Sequence, residues 1–204
     1  MQTINGGVSL QSEHVLVVRT EYLKELLSFS GIKKIPLDIL KKQVEKYGEF
    51  LPRELAENDE RYRQLIPYIV LKDGKDFVLL KRTKKQGEKR LHNKFTIGIG
   101  GHINSEDGDH KNLWTTFEKG LQREFREEVD AKLKTLKYLG VINDLTTEVS
   151  RVHLGILYIA EVHFNGLNER DMFQVYRVKK EELHDFIWQM EGWSRLTVRY
   201  ILRP

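Results

Sequence analysis

The chain has 204 residues, with 34 Lys+Arg against 30 Asp+Glu for a formal charge of +4, 40% apolar and 31% charged residues, and no cysteine. This suits one sizeable globular domain, or a domain with a decoration, and disfavours wholesale disorder; the missing cysteine excludes disulfides, thiolate zinc sites, iron–sulfur clusters and a cysteine nucleophile. The surplus charge is too small to argue for nucleic acid, the best apolar run, Leu154 to Ala160, is far short of a membrane span, and the first residues lack a secretory signal, so a soluble cytoplasmic protein is expected.

In chain order, HVLVV (His14 to Val18) reads as a short strand, and Thr20 offers an N-cap for the helical run EYLKELL, with Gly31 as a stop. Pro36 starts a second helix whose apolar positions Leu37, Leu40, Val44 and Tyr47 recur at helical spacing, with Gly48 behind. FLPRELAENDERYR reads as a polar connection with a turn of helix. Residues 1–63 are therefore expected to form a mainly helical N-terminal extension packed on a main domain, 64–204.

From Leu65 the texture changes. LIPYIVL and FVLL flank KDGKD, where Asp73-Gly74 signals a hairpin. FTIGIGGH alternates Phe95, Ile97 and Ile99 before two glycines, as in a half-buried strand. A polar stretch leads into a helix from about Asn112 to Val129. Strands are expected at Leu139–Ile142, Val152–Val162 and Phe173–Val178, and two closing helices carry Leu183, Phe186, Ile187, Met190 and then Trp193, Leu196, Tyr200, Ile201. Strands mixed with a central helix and closing helices indicate an α/β architecture.

The helix after the glycine pair carries the chemistry. Glu124, Glu127 and Glu128 stand at i, i+3 and i+4, within about 100° of one another on a helical wheel. Leu113, Phe117, Leu121 and Phe125 mark the apolar stripe, and the carboxylates lie beside it. Three acids held against the protein body repel one another, and a hard divalent cation with oxygen ligands would offset that cost. A solvated acidic face paired with Arg123 and Arg126 is the alternative.

GGHINSEDGDHKNLWTTFEKGLQREFREEVDA resembles the Nudix box, with Gly101 as its first glycine and Arg123-Glu124-Phe125-Arg126-Glu127-Glu128 matching its Arg-Glu-apolar-x-Glu-Glu core. The resemblance covers roughly Leu65 to Lys180. It implies a Nudix-like α/β/α sandwich with a mixed sheet. It also implies that Glu127 and Glu128 bind Mg²⁺ or Mn²⁺, that Glu124 is a further ligand or the general base, that the Gly101 carbonyl completes the metal shell, and that Arg123 positions the glutamates. Three departures stand out. Gly101 and Arg123 enclose 21 residues where the family has 13. Counting back from Arg123, the family's first glutamate falls on Thr115, leaving Glu106 or Glu118 as substitutes. The closing glycine is Asp130.

Between Lys72 and Lys94, nine basic residues against three acidic ones give a local +6, leaving the rest of the chain at −2. Arg82 there, and His102 after the glycine pair, are the candidate substrate contacts. Glu169, then Glu148, are the nearest guesses for a further acidic ligand. The expected activity is metal-dependent hydrolysis of a phosphoanhydride in a nucleoside diphosphate-linked or related small phosphorylated substrate. A non-catalytic nucleotide-binding module is the alternative. FTIGIGGH also faintly resembles the isopentenyl-diphosphate isomerase branch, which relies on a cysteine this chain lacks. Similar proteins make a homodimer conceivable, though no residue announces one.

Overall fold

The computed structural model describes residues 13–83, 93–168 and 172–203. Ten strands form one mixed sheet. β4 (Tyr62–Asp73) and β5 (Asp76–Arg82) make the expected hairpin, turning at Gly74 with φ +63°, a left-handed value that glycine adopts without strain. β9 (His153–Leu167) runs parallel to β4 over ten residue pairs, and β8 (Val129–Asn143) runs antiparallel to β9. β10 (Phe173–Lys179) closes the other side against β5.

Period-two alternation along β4 and β9 sends side chains to two faces, and both are covered. Leu65, Ile69, Leu71, Leu154, Ile156 and Ala160 pack under α2 (Leu37–Tyr47) and α4 (Leu113–Glu128). Tyr68, Val70 and Leu157 pack under the segment Lys180–Gln189 and α6 (Gly192–Ile201). The result is an α/β/α sandwich. Lys180–Gln189 is a 3₁₀ helix where the spacing of Leu183, Phe186, Ile187 and Met190 suggests an α-helix; Leu183 and Ile187 still face the core.

The first described segment differs most from expectation: a mainly helical extension is not what forms. β1 (His14–Arg19) pairs antiparallel with both β3 (Gly48–Pro52) and β4, and β2 (Gly31–Lys33) pairs with β8. The helix begun at Thr20 lasts only through Leu23 (α1), because the chain must turn back to deliver Gly31–Lys33 to the edge of β8. FLP, the start of the stretch read as a polar connection, belongs to β3, which is followed by the expected single helical turn, α3 (Arg53–Ala56). Both β2 and β3 are short and only half-buried, so they lack an alternating apolar signature; their ladder bonds to distant strands create them.

The stretch Phe95–Ile99 divides at Ile97. β6 (Phe95–Thr96) pairs with β5 and β7 (Gly98–Ile99) pairs with β4. The buried Thr96 hydroxyl donates to the Gly98 carbonyl at 2.8 Å and stitches the break.

Candidate active site

α4 is fixed at both ends by side chains from remote parts of the chain. At its start the Asn112 side chain accepts from the Thr115 N–H at 2.9 Å. The Glu45 carboxylate on α2 accepts from the Leu113 and Trp114 N–H groups at 3.1 and 2.8 Å. Four N–H groups at a helix start need such acceptors, and a carboxylate there also meets the positive end of the helix dipole. At the other end the chain passes directly from Glu128 into β8, with Val129 in extended conformation, so no left-handed glycine exit is used. The Asn168 amide donates to the Arg126 and Glu127 carbonyls at 2.8 and 3.1 Å, and its backbone N–H donates to the Glu128 carbonyl at 3.0 Å. Asp130 can therefore stand where the family places glycine.

The glycine pair lies against this helix. Gly100 has φ +145°, and a Cβ on it would fall 1.7 Å from the Pro67 carbonyl oxygen; no other residue fits there. A Cβ on Gly101 would lie 2.5 Å from Glu124 Oε2. The Gly100 N–H donates to Glu128 Oε1 at 3.4 Å. The close backbone approach thus brings the strand end onto the carboxylates.

Arg123 is the hub. Its Nε and Nη2 donate to the two Asp107 oxygens at 2.6 and 3.0 Å, its Nη1 to Glu124 Oε1 at 2.8 Å and Glu127 Oε2 at 2.9 Å, and its Nη2 also to the His102 carbonyl at 2.8 Å. The hydrogen bonds to Asp107, outweighing partial burial, hold the guanidinium protonated well above its ordinary range. Glu124 is pushed the other way: burial raises its carboxyl, neighbouring Glu127 and Asp107 add to that, and Arg123 opposes it.

Asp107, in a 3₁₀ turn at Ser105–Asp107, is the acid that the backward count missed. Thr115 caps nothing with a carboxylate, Glu106 is exposed, and Glu118 pairs with Lys41 and the Trp114 indole. Counting forward from Gly101 instead, five residues precede Asp107, as in the family pattern. The extra length therefore falls between Asp107 and Arg123, and much of it is the N-terminal part of α4, which packs on α2.

Glu124, Glu127, Glu128, Gly100 and Arg82 line one cavity of about 540 Å³. Arg82, at the end of β5, donates to Glu191 at 3.1 Å and lies over the Phe173 ring. His102 sits on the wall of adjoining cavities with its ring against His153, Nε2 to Nε2 3.3 Å. Burial first, and then the charges of Arg53 and His153, push His102 down to about 4. Glu169, Lys84, Lys85, Lys89 and Arg90 lie outside the described residues, and Glu148 is in α5 (Glu148–Arg151), off this cavity.

Oxygen donors alone line the carboxylate side of the cavity, the chemistry a hard divalent ion takes. Among the described residues no three His, Asp or Glu side chains converge on one point; Arg123 holds Glu124 and Glu127 where they are. Glu127 is 58% exposed at its side chain and can turn from Arg123 into the cavity without leaving Arg123 unpaired, because Asp107 keeps it. The donor set fits such an ion in chemistry, with Glu127 as its adjustable member.

Known proteins share this fold. The solved structure of Tm1382, a protein placed among the Nudix hydrolases, is 40% identical to this chain, covering 93% of it and 98% of Tm1382 with a TM-score of 0.85. The chain belongs to the Nudix hydrolase superfamily. Protein YmaB of Bacillus subtilis (strain 168) is 30% identical over 187 residues, 87% of this chain and 90% of YmaB. DR0079 from Deinococcus radiodurans, at 17% identity, shares the fold over 68% of this chain and 83% of its own, with a TM-score of 0.50. No family model matches the chain. As a Nudix enzyme it is a pyrophosphohydrolase. No helix among the described residues is long and apolar enough to cross a membrane.

Asp107, Glu191, Glu45 and Asn168 were not assigned to the site from the sequence. Only Asp107 had a usable local signal, its spacing from Gly101. The others act across 68 residues or more, or from a β-strand end, where spacing carries no information.

Proposed function

We propose that this Nudix hydrolase cleaves a phosphoanhydride bond in a nucleoside diphosphate-linked or related small phosphorylated substrate, with Mg²⁺ or Mn²⁺ held by Glu127, Glu128 and the Gly101 carbonyl. The observation that carries this reading is the shared cavity: Glu124, Glu127 and Glu128 line it together with Arg82 and Gly100. A bound divalent ion would neutralise the charge of the two phosphates joined by the scissile bridge. Arg82 grips a phosphate oxygen through its planar guanidinium, while Glu191 sets its direction. Arg123 holds Glu124 in place, and Glu127 turns from Arg123 toward the ion. His102 contributes its carbonyl to Arg123 and its ring to the adjoining wall.

In the chemical step a water oxygen attacks one phosphorus, the bridging P–O bond breaks, and a carboxylate takes the water's proton. Glu124 is either that base or a third ligand; its raised carboxyl and its place against Gly101 support the first role. The cysteine-free composition suits a cytoplasmic site of action, and a homodimer would be read by sizing the protein in solution.

The test is formation of the nucleoside monophosphate from a panel of nucleoside diphosphate derivatives with and without Mg²⁺ or Mn²⁺. Glu128→Gln should lower Mg²⁺-dependent turnover by at least about a hundredfold while leaving thermal unfolding unchanged. Equal turnover in the variant and the wild type would sink the metal assignment.

A further inference from the structure

His102 and His153, 51 residues apart in the chain, meet beside the glycine pair with Nε2 3.3 Å from Nε2 and their ring planes at 61°. Neither imidazole is needed for phosphoanhydride cleavage at the carboxylates. Both are held by backbone. His102 follows Gly101, and its carbonyl accepts from Arg123 Nη2 at 2.8 Å. His153 opens β9 in register with Gln64 of β4, and its Nδ1 lies 2.6 Å from the Val149 carbonyl oxygen. A carbonyl only accepts, so this Nδ1 carries the proton, and in the neutral ring Nε2 presents a lone pair.

A metal-ligating histidine is set in this way, one ring nitrogen donating to a carbonyl while the other faces the ion. The spacing adds selectivity. Two imidazole nitrogens at their usual distance from a tetrahedral ion stand about 3.3–3.4 Å apart, whereas the right angles of a square-planar or octahedral ion bring them to about 2.8–3.0 Å. The observed 3.3 Å fits the tetrahedral case and is long for a hydrogen bond from one ring to the other. Imidazole ligands suit Zn²⁺, and Mg²⁺ prefers oxygen.

Both rings line a cavity of about 450 Å³ that also reaches Gly100 and Gly101, so further positions on the ion are open. Among the described residues no third His, Asp or Glu side chain converges there. The surrounding charge tempers affinity. Arg82, Lys94 and Arg195 line the same cavity against Asp144 and Glu191. Arg53, whose charge reaches both rings, is paired with Glu13 and Glu57. Two protein ligands in such surroundings make an exchangeable site, not a structural one.

We propose that His102 and His153 form a reversible Zn²⁺ site on this cavity wall, separate from the carboxylates of α4, with two tetrahedral positions left to water or to an anionic oxygen in the cavity. The site stands whether or not the carboxylates hold Mg²⁺.

The test titrates Zn²⁺ into the full chain by calorimetry with Mg²⁺ in excess. One Zn²⁺ per chain should bind, and His102→Gln and His153→Gln should each weaken it at least about tenfold, while Glu128→Gln leaves its affinity within about twofold. A second readout needs no variant to fold. In long-range ¹H–¹⁵N spectra of the wild-type imidazoles, Zn²⁺ should shift the Nε2 signals of two of the seven histidines, with one of the two keeping its proton on Nδ1. Zn²⁺ binding that survives His153→Gln and is lost in Glu128→Gln would place the ion at the carboxylates and overturn the site. Ring signals indifferent to Zn²⁺ would leave a hydrogen bond between the rings only, and overturn it too. Neither result touches the carboxylate reading, which is decided by Mg²⁺-dependent turnover in wild type and Glu128→Gln.

Discussion

Arg123 and Asp107 form a two-pronged ion pair, 2.6 and 3.0 Å, between the carboxylate helix and the turn that follows the glycine pair. Asp107 is 5% exposed and Arg123 26% at their side chains. Because Asp107 neutralises the guanidinium, Glu127 can leave Arg123 without stranding a charge. The pair therefore does two jobs: it pins the loop to the helix, and it keeps a glutamate available.

Removing Asp107 should be costly. Asp107→Ala leaves a partly buried guanidinium short of its main partner, and a loss of about 2–4 kcal/mol is expected, read by denaturant unfolding. Glu106→Ala, one residue earlier and exposed, should stay within about 0.5 kcal/mol of wild type. Equal costs for the two would show that the pair is not what anchors the loop.

Gly120 tests the same contact from the other side. Glycine within a helix ordinarily costs about 1 kcal/mol relative to alanine, so Gly120→Ala would normally stabilise α4. Here an added Cβ falls 2.5 Å from Asp107 Oδ2 and 2.6 Å from Ile103. The substitution should lower the melting temperature instead; a higher one would mean that the loop yields easily.

Glu45 ties the N-terminal segment to α4. Glu45→Ala removes the acceptor for two N–H groups at the start of α4 and should cost about 1–2 kcal/mol. Faster amide exchange should appear first at Leu113 and Trp114. Unaltered protection there would indicate that Asn112 caps the helix unaided.

Stability should fall in mild acid through the His102–His153 pair. Burial, the largest cause for each, depresses both, His102 to about 4 from an ordinary 6.5. Between these values the unfolded chain binds more protons than the folded one, so stability rises with pH. The contribution is complete above about 6.5 and is lost as pH falls toward about 4. From pH 7 to 5 the His102 part amounts to about 1–2 kcal/mol. His102→Gln should flatten the unfolding free energy over that interval, and a slope unchanged by the substitution would assign it elsewhere.

Local pattern was enough for the α4 helix, the β4–β5 hairpin and the carboxylate triplet. Their periodicities are set within a dozen residues, and the pairing of hairpin strands needs only a tight turn at Gly74. The same holds for α2, whose apolar stripe is continuous from Leu37 to Tyr47. Extended strands were underestimated for a related reason. β8 runs for 15 residues, yet Leu133 and Leu136 stay exposed, so half of it carries no buried alternation and is held only by its ladder to β9.

The sequence by itself determined that a cysteine-free chain with a net charge of +4 places its positive surplus next to a glycine pair and a glutamate helix, and that this helix is of Nudix type. Only the tertiary structure decided which acid serves Arg123, why Asp130 can replace a glycine, and that the first described segment is woven into the sheet. It also decided that His102 and His153 turn their Nε2 atoms toward each other. These facts depend on hydrogen bonds and packing between residues far apart in the chain, and such contacts leave no periodic trace in the residues that make them.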